Sequence, residues 1–289
     1  MPEGHAVLLL GGHESGNGAA LPALLGPGGP EVRAPGGDLH AALREHDRVV
    51  TVPMSLGRDP ALAVTAAQTL RWAAREREPG DLLLAGPLGT AGHLVGWIRG
   101  AVTRALDGGP PDSAVLLVAP AAGPEPDAEL FRVARLVWQY LPVRWVEVAL
   151  TGGEPDVDEG IERCRRLGAA DVVLVPACLV PAPPRPGARA TGPLVGRAAL
   201  SALIRERVNE AELRWSRYGD DGLAIARHGH GHAHEHGHEH GHEHGHGHEH
   251  EHGHGSETEN DDDNEKADRD HGPRGPVTPI PKEAASHVG

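Results

Sequence analysis

The 289-residue sequence has few aromatic residues, few cysteines and, over most of its length, no lysine. Its two cysteines, Cys164 and Cys178, are too few for a disulfide framework and do not form a CxxC metal motif. Both lysines, Lys266 and Lys282, lie near the C-terminus. We find no apolar run of membrane-spanning length and no signal peptide, because the N-terminus runs almost at once into a short apolar strand. The sequence therefore predicts no membrane partner and a cytoplasmic location.

A strong positive field is also missing from the sequence. Residues 1–227 carry 27 acidic and 23 basic side chains, a net charge of −4, whereas residues 228–289 carry 14 and 4, a net charge of −10. Nucleic-acid binding proteins present clustered basic surface, so this balance argues against a nucleic-acid partner. Most of the acidity belongs to the C-terminal segment.

Short apolar runs alternate with segments of helical period along the first 215 residues. Near-continuous apolar strands separated by helices are typical of a parallel sheet covered on both faces, which predicts an α/β fold. The predicted strands are Ala6–Leu10, Arg48–Val52, Asp81–Ala85, Ala114–Ala119, Trp145–Leu150 and Asp171–Val175. The predicted helices are Asp38–Glu45, Ala61–Arg77, Leu94–Leu106, Asp127–Gln139, Asp156–Leu167 and Val195–Trp215.

The chain also resembles itself. Three short motifs recur in the same order, namely AVLLL at 6–10 with AVLLV at 114–118, RVVTVP at 48–53 with DVVLVP at 171–176, and GPL at 86–88 with GPL at 192–194. Three ordered matches indicate a duplicated unit. We therefore predict two doubly wound parallel-sheet units, residues 1–110 and 111–219, which face a cleft, followed by a disordered tail over residues 220–289. In such folds ligands bind beyond the carboxyl ends of the strands.

A glycine-rich loop, Gly11–Gly16, directly follows the first predicted strand. Its glycines permit a tight turn, but their spacing fits neither GxGxxG nor GxxxxGK[ST], which excludes the dinucleotide and P-loop motifs. The loop presents His13, Glu14 and Ser15 at the edge where α/β sites form. From spacing alone His13 is equally a site residue or a loop histidine that only makes a local hydrogen bond.

Histidine occupies every second position from His228 to His254, fourteen residues in all, with Gly, Glu or a single Ala between them. Imidazole is a common ligand of transition metals, and such a polar sequence cannot bury a core, so we predict a disordered metal-binding segment. A metal-free solubility segment is the alternative. The predicted ligands are His228, His230, His232, His234, His236, His238, His240, His242, His244, His246, His248, His250, His252 and His254.

With these motifs the chain resembles the CbiX/SirB group of class II tetrapyrrole chelatases. The resemblance rests on a strand that ends in Gly-His-x-Ser, the duplicated unit, the Val-Pro-(Met/Ala)-x-Leu turns and the His-rich tail, and it spans roughly residues 6–215. It implies a metal chelatase of the lyase class that inserts cobalt or ferrous iron into sirohydrochlorin, for cobalamin or sirohaem biosynthesis. The divalent metal is then a substrate, with Co²⁺ favoured, Fe²⁺ possible and Ni²⁺ possible in the tail.

Carried over residue by residue, the resemblance makes His13 the first metal-binding histidine. Family members usually supply a second histidine after the next core strand, but residues 52–60 contain none, and Glu14 replaces the usual small residue. We therefore predict His13 and Glu14 as catalytic residues and His93 as the substitute second ligand, although His93 could equally face solvent in a first helical turn. Ser15 and Arg58 are predicted to bind the tetrapyrrole, Arg58 through a carboxylate; a solvated loop arginine is the alternative.

The missing histidine leaves a second function open. The chain could be a metal buffer or metallochaperone that has lost catalysis and uses its His-rich tail. The sequence leaves the choice of metal and the oligomeric state open.

Overall fold

A computed structural model describes residues 4–107 and 112–228, with side chains to residue 226. Within this part of the chain there are eight strands and seven α-helices. The strands are β1 (Ala6–Leu10), β2 (Glu31–Arg33), β3 (Val49–Pro53), β4 (Leu82–Leu84), β5 (Ser113–Pro120), β6 (Trp145–Thr151), β7 (Asp171–Pro176) and β8 (Arg189–Ala190). The helices are α1 (Leu21–Leu25), α2 (Gly37–Ala42), α3 (Pro60–Ala73), α4 (Ala91–Leu106), α5 (Pro124–Gln139), α6 (Val157–Arg166) and α7 (Arg197–Tyr218).

The strands form two parallel four-stranded sheets with the same topology. Their orders are β2-β1-β3-β4 and β6-β5-β7-β8, so each first motif of the repeat lies on a central strand beside the second. The register pairs Ala6 with Val49 in one sheet and Ala114 with Val172 in the other. The predicted α/β fold of two duplicated parallel-sheet units is confirmed, and all six predicted strands and all six predicted helices are present within a few residues of their predicted bounds.

The core consists of three clusters that follow the period-2 alternation of the strands. Alternate residues of both sheets, such as Leu9 and Leu117, join one shared cluster with α1, α4, α5 and α7. The opposite face of the first sheet packs against α2, α3 and the final 3-10 turn, Leu223–His228, and that of the second sheet packs against α6. Both sheets are therefore covered on both faces, which explains their near-continuous apolar sequences.

The last helix of each half packs on the sheet of the other half. Helix α4 contacts β7, while α7 contacts β3 and β4. Polar contacts fix α7 there, because Arg214 Nη2 donates to the Leu84 carbonyl at 2.6 Å and Glu212 Oε1 lies 3.0 Å from His5 Nδ1. The predicted boundaries at residues 110 and 219 stay predictions, but the two halves share helices as well as a core.

In the described residues, no helix has the length and apolar character that crossing a membrane requires.

Candidate active site at the carboxyl edge of the sheets

The loop after β1 is a tight turn that presents His13. Residues His13–Ser15 form one 3-10 turn, and Gly16 ends it in the left-handed region at φ 60°. The Ser15 hydroxyl donates to the Gly12 carbonyl at 3.0 Å and accepts from Gly18 N at 3.1 Å. Ser15 is buried within this turn, so its hydroxyl stabilises the loop; its predicted role in tetrapyrrole binding stays a prediction.

The His13 imidazole is held by one carboxylate. Its Nδ1 lies 3.0 Å from Asp59 Oδ2, and the His13 backbone N–H donates to the same oxygen at 3.2 Å. The ring is 18% exposed, yet its Nε2 is buried without a hydrogen-bond partner. Burial raises the pKa of Asp59, but the hydrogen bond and charge of His13 outweigh it and leave that pKa below its ordinary value. His13 therefore has one ring nitrogen engaged and one unengaged.

The Glu14 carboxylate is fully buried and holds the loop after β3. Its Oε2 accepts from Ser55 Oγ at 2.6 Å, Leu56 N at 2.9 Å and Arg58 N at 3.1 Å, whereas its Oε1 is buried without a partner. Burial is the largest influence on Glu14 and raises its pKa above the ordinary value, although the three hydrogen bonds and the Arg58 charge oppose this. Three hydrogen bonds to Glu14 Oε2 thus position the loop after β3.

Arg58 connects the two halves at this edge. Its side chain is 0% exposed; Nη2 donates to the Pro126 carbonyl at 2.9 Å and lies 4.0 Å from Asp127 Oδ1 at the start of α5. Its Nε and Nη1 are buried without partners. A second link runs from Leu179 N, after β7, to the Glu14 carbonyl at 2.8 Å. The alternative of a solvated loop arginine is wrong, because α5 of the second half covers the side chain.

His93 lies at the same edge, in the first turn of the helix that follows β4. It is the third residue of α4, where its Nδ1 accepts from Thr90 N and its own N donates to Thr90 Oγ1, both at 3.3 Å. The exposed ring lies against Trp97, with centroids 5.8 Å apart. The strand that precedes α4, β4, is two strands from β1, about 10 Å at roughly 4.8 Å per strand, so His93 does not follow the strand next to β1. Its role as a second ligand stays a prediction.

The cysteines are not prepared to bind metal as thiolates. Cys178 follows β7 at this edge, and burial raises the pKa of its thiol to about 12. Burial likewise raises the pKa of Cys164, on α6, to about 11. Because the thiolate is the metal ligand, this burial disfavours both residues as ligands near neutral pH.

Among residues 4–107 and 112–226, only Glu31, Glu45 and His46 bring three possible metal-ligand groups within reach of one another. Arg33 already donates to Glu31, and its Nη2 lies 3.4 Å from Glu45 Oε2. That arginine supplies the positive charge at this cluster, which lies away from His13. The predicted tail ligands His230–His254 and the side chain of His228 lie outside the described residues.

Asp59 is the site residue to which the sequence assigned no role. The Asp-Pro pair before α3 is a typical helix start, and Asp59 Oδ1 does accept from Leu62 N at 3.2 Å. The closeness of Asp59 to His13 depends on the pairing of β1 with β3, in which Leu10 and Pro53 are the last paired residues. The local sequence does not encode that register.

The comparisons with known proteins agree with this architecture. Residues 121–183 match the family model described as CbiX. A sirohydrochlorin cobaltochelatase of Priestia megaterium is 37% identical over 70 residues, which are 23% of this chain and 23% of that protein. Both matches agree with the resemblance to the CbiX/SirB group that the motifs of this chain carry. The chain spans about a quarter of the length of this curated relative. Residues 121–183, which match the family model, contain no histidine.

Solved structures that are similar to this chain include three with chelatase-related descriptions. The sirohydrochlorin chelatase SirB of Bacillus subtilis subspecies spizizenii, in complex with cobalt, is 14% identical with a TM-score of 0.43, and SirB of Bacillus subtilis with Fe³⁺ is 15% identical with a TM-score of 0.45. Each alignment covers 76% of this chain and 100% of the other. A multi-domain Deinococcus radiodurans protein with structural similarity to chelatases is 19% identical with a TM-score of 0.42, over 71% of this chain and 55% of that one.

Proposed function

We propose that this chain is a metal chelatase that inserts a divalent metal ion into a sirohydrochlorin-like tetrapyrrole at the carboxyl edge of its two sheets. The observation that carries the proposal is the His13 imidazole, whose Nδ1 is engaged by Asp59 while its buried Nε2 has no partner. A neutral imidazole nitrogen in this state can bind a metal ion or accept a proton. The family and the relative's name supply the class of substrate.

The reaction needs both of these abilities. When M²⁺ enters the macrocycle, two pyrrole N–H bonds break, two protons are released and the metal exchanges its waters for four nitrogens. His13 Nε2 would hold the arriving ion or take one of the protons. Glu14 Oε1 is the unengaged carboxylate oxygen nearest in sequence and would take part in proton relay or charge balance.

Access to His13 Nε2 requires the edge to open, because that atom is buried. The links that close the edge are the hydrogen bond from Leu179 to Glu14 and that from Arg58 to Pro126. We propose that the macrocycle enters between the halves and that Arg58 exchanges the Pro126 carbonyl for a substrate carboxylate. Arginine binds carboxylates strongly and with defined geometry, so this exchange conserves a charge-assisted hydrogen bond. His93 would then supply a second ligand through Nε2.

The His-rich residues 228–254 would act as a metal store. The metal substrate of the reaction would be Co²⁺ by preference, with Fe²⁺ possible. Protons compete for imidazole, so capture should weaken as the pH falls through about 6.5. A tether of this kind holds metal near the domain at roughly millimolar effective concentration.

The test is insertion spectroscopy with sirohydrochlorin and Co²⁺, Fe²⁺ or Ni²⁺, compared with the uncatalysed rate. We expect His13→Ala to abolish the enzymatic rate, whereas the control His40→Ala should leave it unchanged because His40 packs on Trp72. Full activity of His13→Ala would refute the assignment.

The alternative is a metal buffer or metallochaperone without catalysis. Two observations favour it: no histidine follows β3 where family members supply one, and His13 belongs to no three-ligand group among the described residues. Removal of residues 228–289 discriminates between the two functions. If the truncated protein still inserts metal, the enzyme is supported. If the truncated protein binds no metal and the full chain shows no insertion, the buffer is supported.

A further inference from the structure

Asp59 makes three contacts that converge on the loop carrying His13. Its Oδ2 receives the His13 backbone N–H at 3.2 Å and lies 3.0 Å from His13 Nδ1, while its Oδ1 caps α3 through Leu62 N at 3.2 Å. Both carboxylate oxygens are therefore engaged, and neither can rotate away without loss of a hydrogen bond. Because α3 packs on the first sheet, Asp59 is anchored on the rigid part of the fold.

A carboxylate beside a ring nitrogen decides where the proton of a neutral imidazole resides. An ionised carboxylate only accepts hydrogen bonds, so the nitrogen facing it must carry the proton and the other nitrogen keeps a free lone pair. We infer that Asp59 is a positioning residue that holds His13 as the Nδ1–H tautomer and thereby makes Nε2 the atom available to metal. The use of that lone pair for metal rests on the proposed function, whereas the choice of tautomer does not.

Gly12 supports the inference independently. Its backbone is extended, with φ −117° and ψ −165°, a conformation open to any residue, so conformational freedom does not require glycine there. A Cβ at this position would instead overlap the Asp59 carboxylate and contact the Leu62 side chain. The missing side chain is what lets the carboxylate approach His13, which indicates that the pair is built into the loop.

The first experiment measures the tautomer directly in the ¹⁵N-labelled full chain. Two-bond ¹H–¹⁵N correlations distinguish the two neutral tautomers, and the His13 signals are those lost in His13→Gln. We expect Nδ1–H in the wild type and a shift towards Nε2–H in Asp59→Asn, since asparagine retains size and capping ability but its amide can donate to Nδ1. An Nε2–H tautomer in the wild type, or an unchanged tautomer in Asp59→Asn, would overturn the inference.

Asp156→Asn is the matched control. Asp156 caps α6 by accepting from Glu159 N at 2.8 Å, as Asp59 caps α3, but no described contact joins it to a histidine. Its replacement should leave the His13 tautomer unchanged. A change equal to that of Asp59→Asn would mean that loss of a cap, rather than the carboxylate beside His13, moves the proton.

A zinc titration followed at the same His13 signals separates this inference from the proposed function. Zn²⁺ is diamagnetic, and a site-resolved signal distinguishes His13 from the sixteen histidines of residues 228–289. Loss of a carboxylate that orients a metal-binding histidine typically weakens affinity about 10- to 100-fold, so the His13 midpoint should rise by that factor in Asp59→Asn. If the tautomer shifts as expected but Zn²⁺ never perturbs His13, Asp59 still positions the ring and the metal role of His13 fails.

Gly12→Ala provides a second variant that keeps both members of the pair. We expect the added methyl group to displace the carboxylate and to reproduce the tautomer shift of Asp59→Asn. Gly96→Ala, where a Cβ meets no atom within 4 Å, should leave the tautomer unchanged. A Gly12→Ala protein that folds and keeps the wild-type tautomer would overturn the inference.

Discussion

Replacement of Arg58 by methionine tests how the two halves are joined at the site. Removing one partner of a buried charge pair typically costs about 3–5 kcal/mol, because the other charge stays buried. Here Arg58 Nε and Nη1 are themselves buried without partners. Their removal relieves a desolvation cost of about 1 kcal/mol each, so we expect a net loss of roughly 1–3 kcal/mol from the free energy of unfolding.

Urea unfolding followed by circular dichroism measures this loss. Arg71→Met is the matched control, because Arg71 is exposed on α3 and its replacement should change stability by no more than about 0.5 kcal/mol. The double variant Arg58→Met/Glu14→Gln should recover part of the loss, with a coupling energy of about 1–3 kcal/mol. A loss below 1 kcal/mol for Arg58→Met, or full additivity with Glu14→Gln, would refute the reasoning.

The pH dependence of stability in the wild type, the two single variants and the double variant gives a sharper test. Burial raises the pKa of Glu14 above its ordinary value of 4.5, so its contribution to stability is complete below pH 4.5 and declines as the pH rises through the folded-state pKa. The charge of Arg58 opposes that decline. The stability difference between wild type and Arg58→Met should therefore widen as the pH rises above 4.5, and it should stay constant in the Glu14→Gln background. An equal difference at pH 4 and pH 8 would contradict this account.

Three further predictions concern other parts of the chain. Gly96→Ala on α4 meets open space and should raise the free energy of unfolding by up to about 1 kcal/mol, whereas Gly160→Ala on α6 would press on buried side chains and should lower it by about 1–3 kcal/mol in urea unfolding. Arg189→Ala should cost at most about 1 kcal/mol at pH 7. The Arg189 hydrogen bond holds the pKa of Asp171 below 3.8, so this cost should vanish as the pH falls through that lowered pKa in thermal unfolding at a series of pH values. Removal of residues 228–289 should slow insertion at scarce cobalt more than at saturating cobalt; an equal collapse under both conditions would mean that the tail supplies a site ligand.

The central part of the fold was predictable because its strands are buried on both faces. Such strands read as unbroken apolar runs, and their duplication made the two sheets visible as a repeat. The edge strands β2 and β8 were missed for the opposite reason. Strand β2 has three residues (Glu31–Arg33) and β8 has two (Arg189–Ala190). Both carry charged side chains and are too short to show a periodic pattern of apolar residues. Their place is set by pairing with β1 and β7, which is tertiary information.

The candidate site was predictable only as far as one strand end. The loop after β1 placed His13 at the carboxyl edge, but the partner of its ring lies 46 residues away, after β3. Arg58 was expected to face substrate or solvent, and it is buried because the start of α5 covers it. Contacts between elements distant in sequence decide the state of both side chains, so local pattern alone could not give either.

The residues that match the family model and the residues of the candidate site lie in different halves of this chain. The family match covers residues 121–183 in the second half, where the repeat aligns Ala121 with His13. The first half supplies the imidazole, the carboxylate that faces it and the arginine that reaches across the edge. A match to the second half therefore transfers no metal ligand to this chain. Under the proposed function, metal insertion depends on His13, so its replacement, rather than any change within residues 121–183, is the decisive variant.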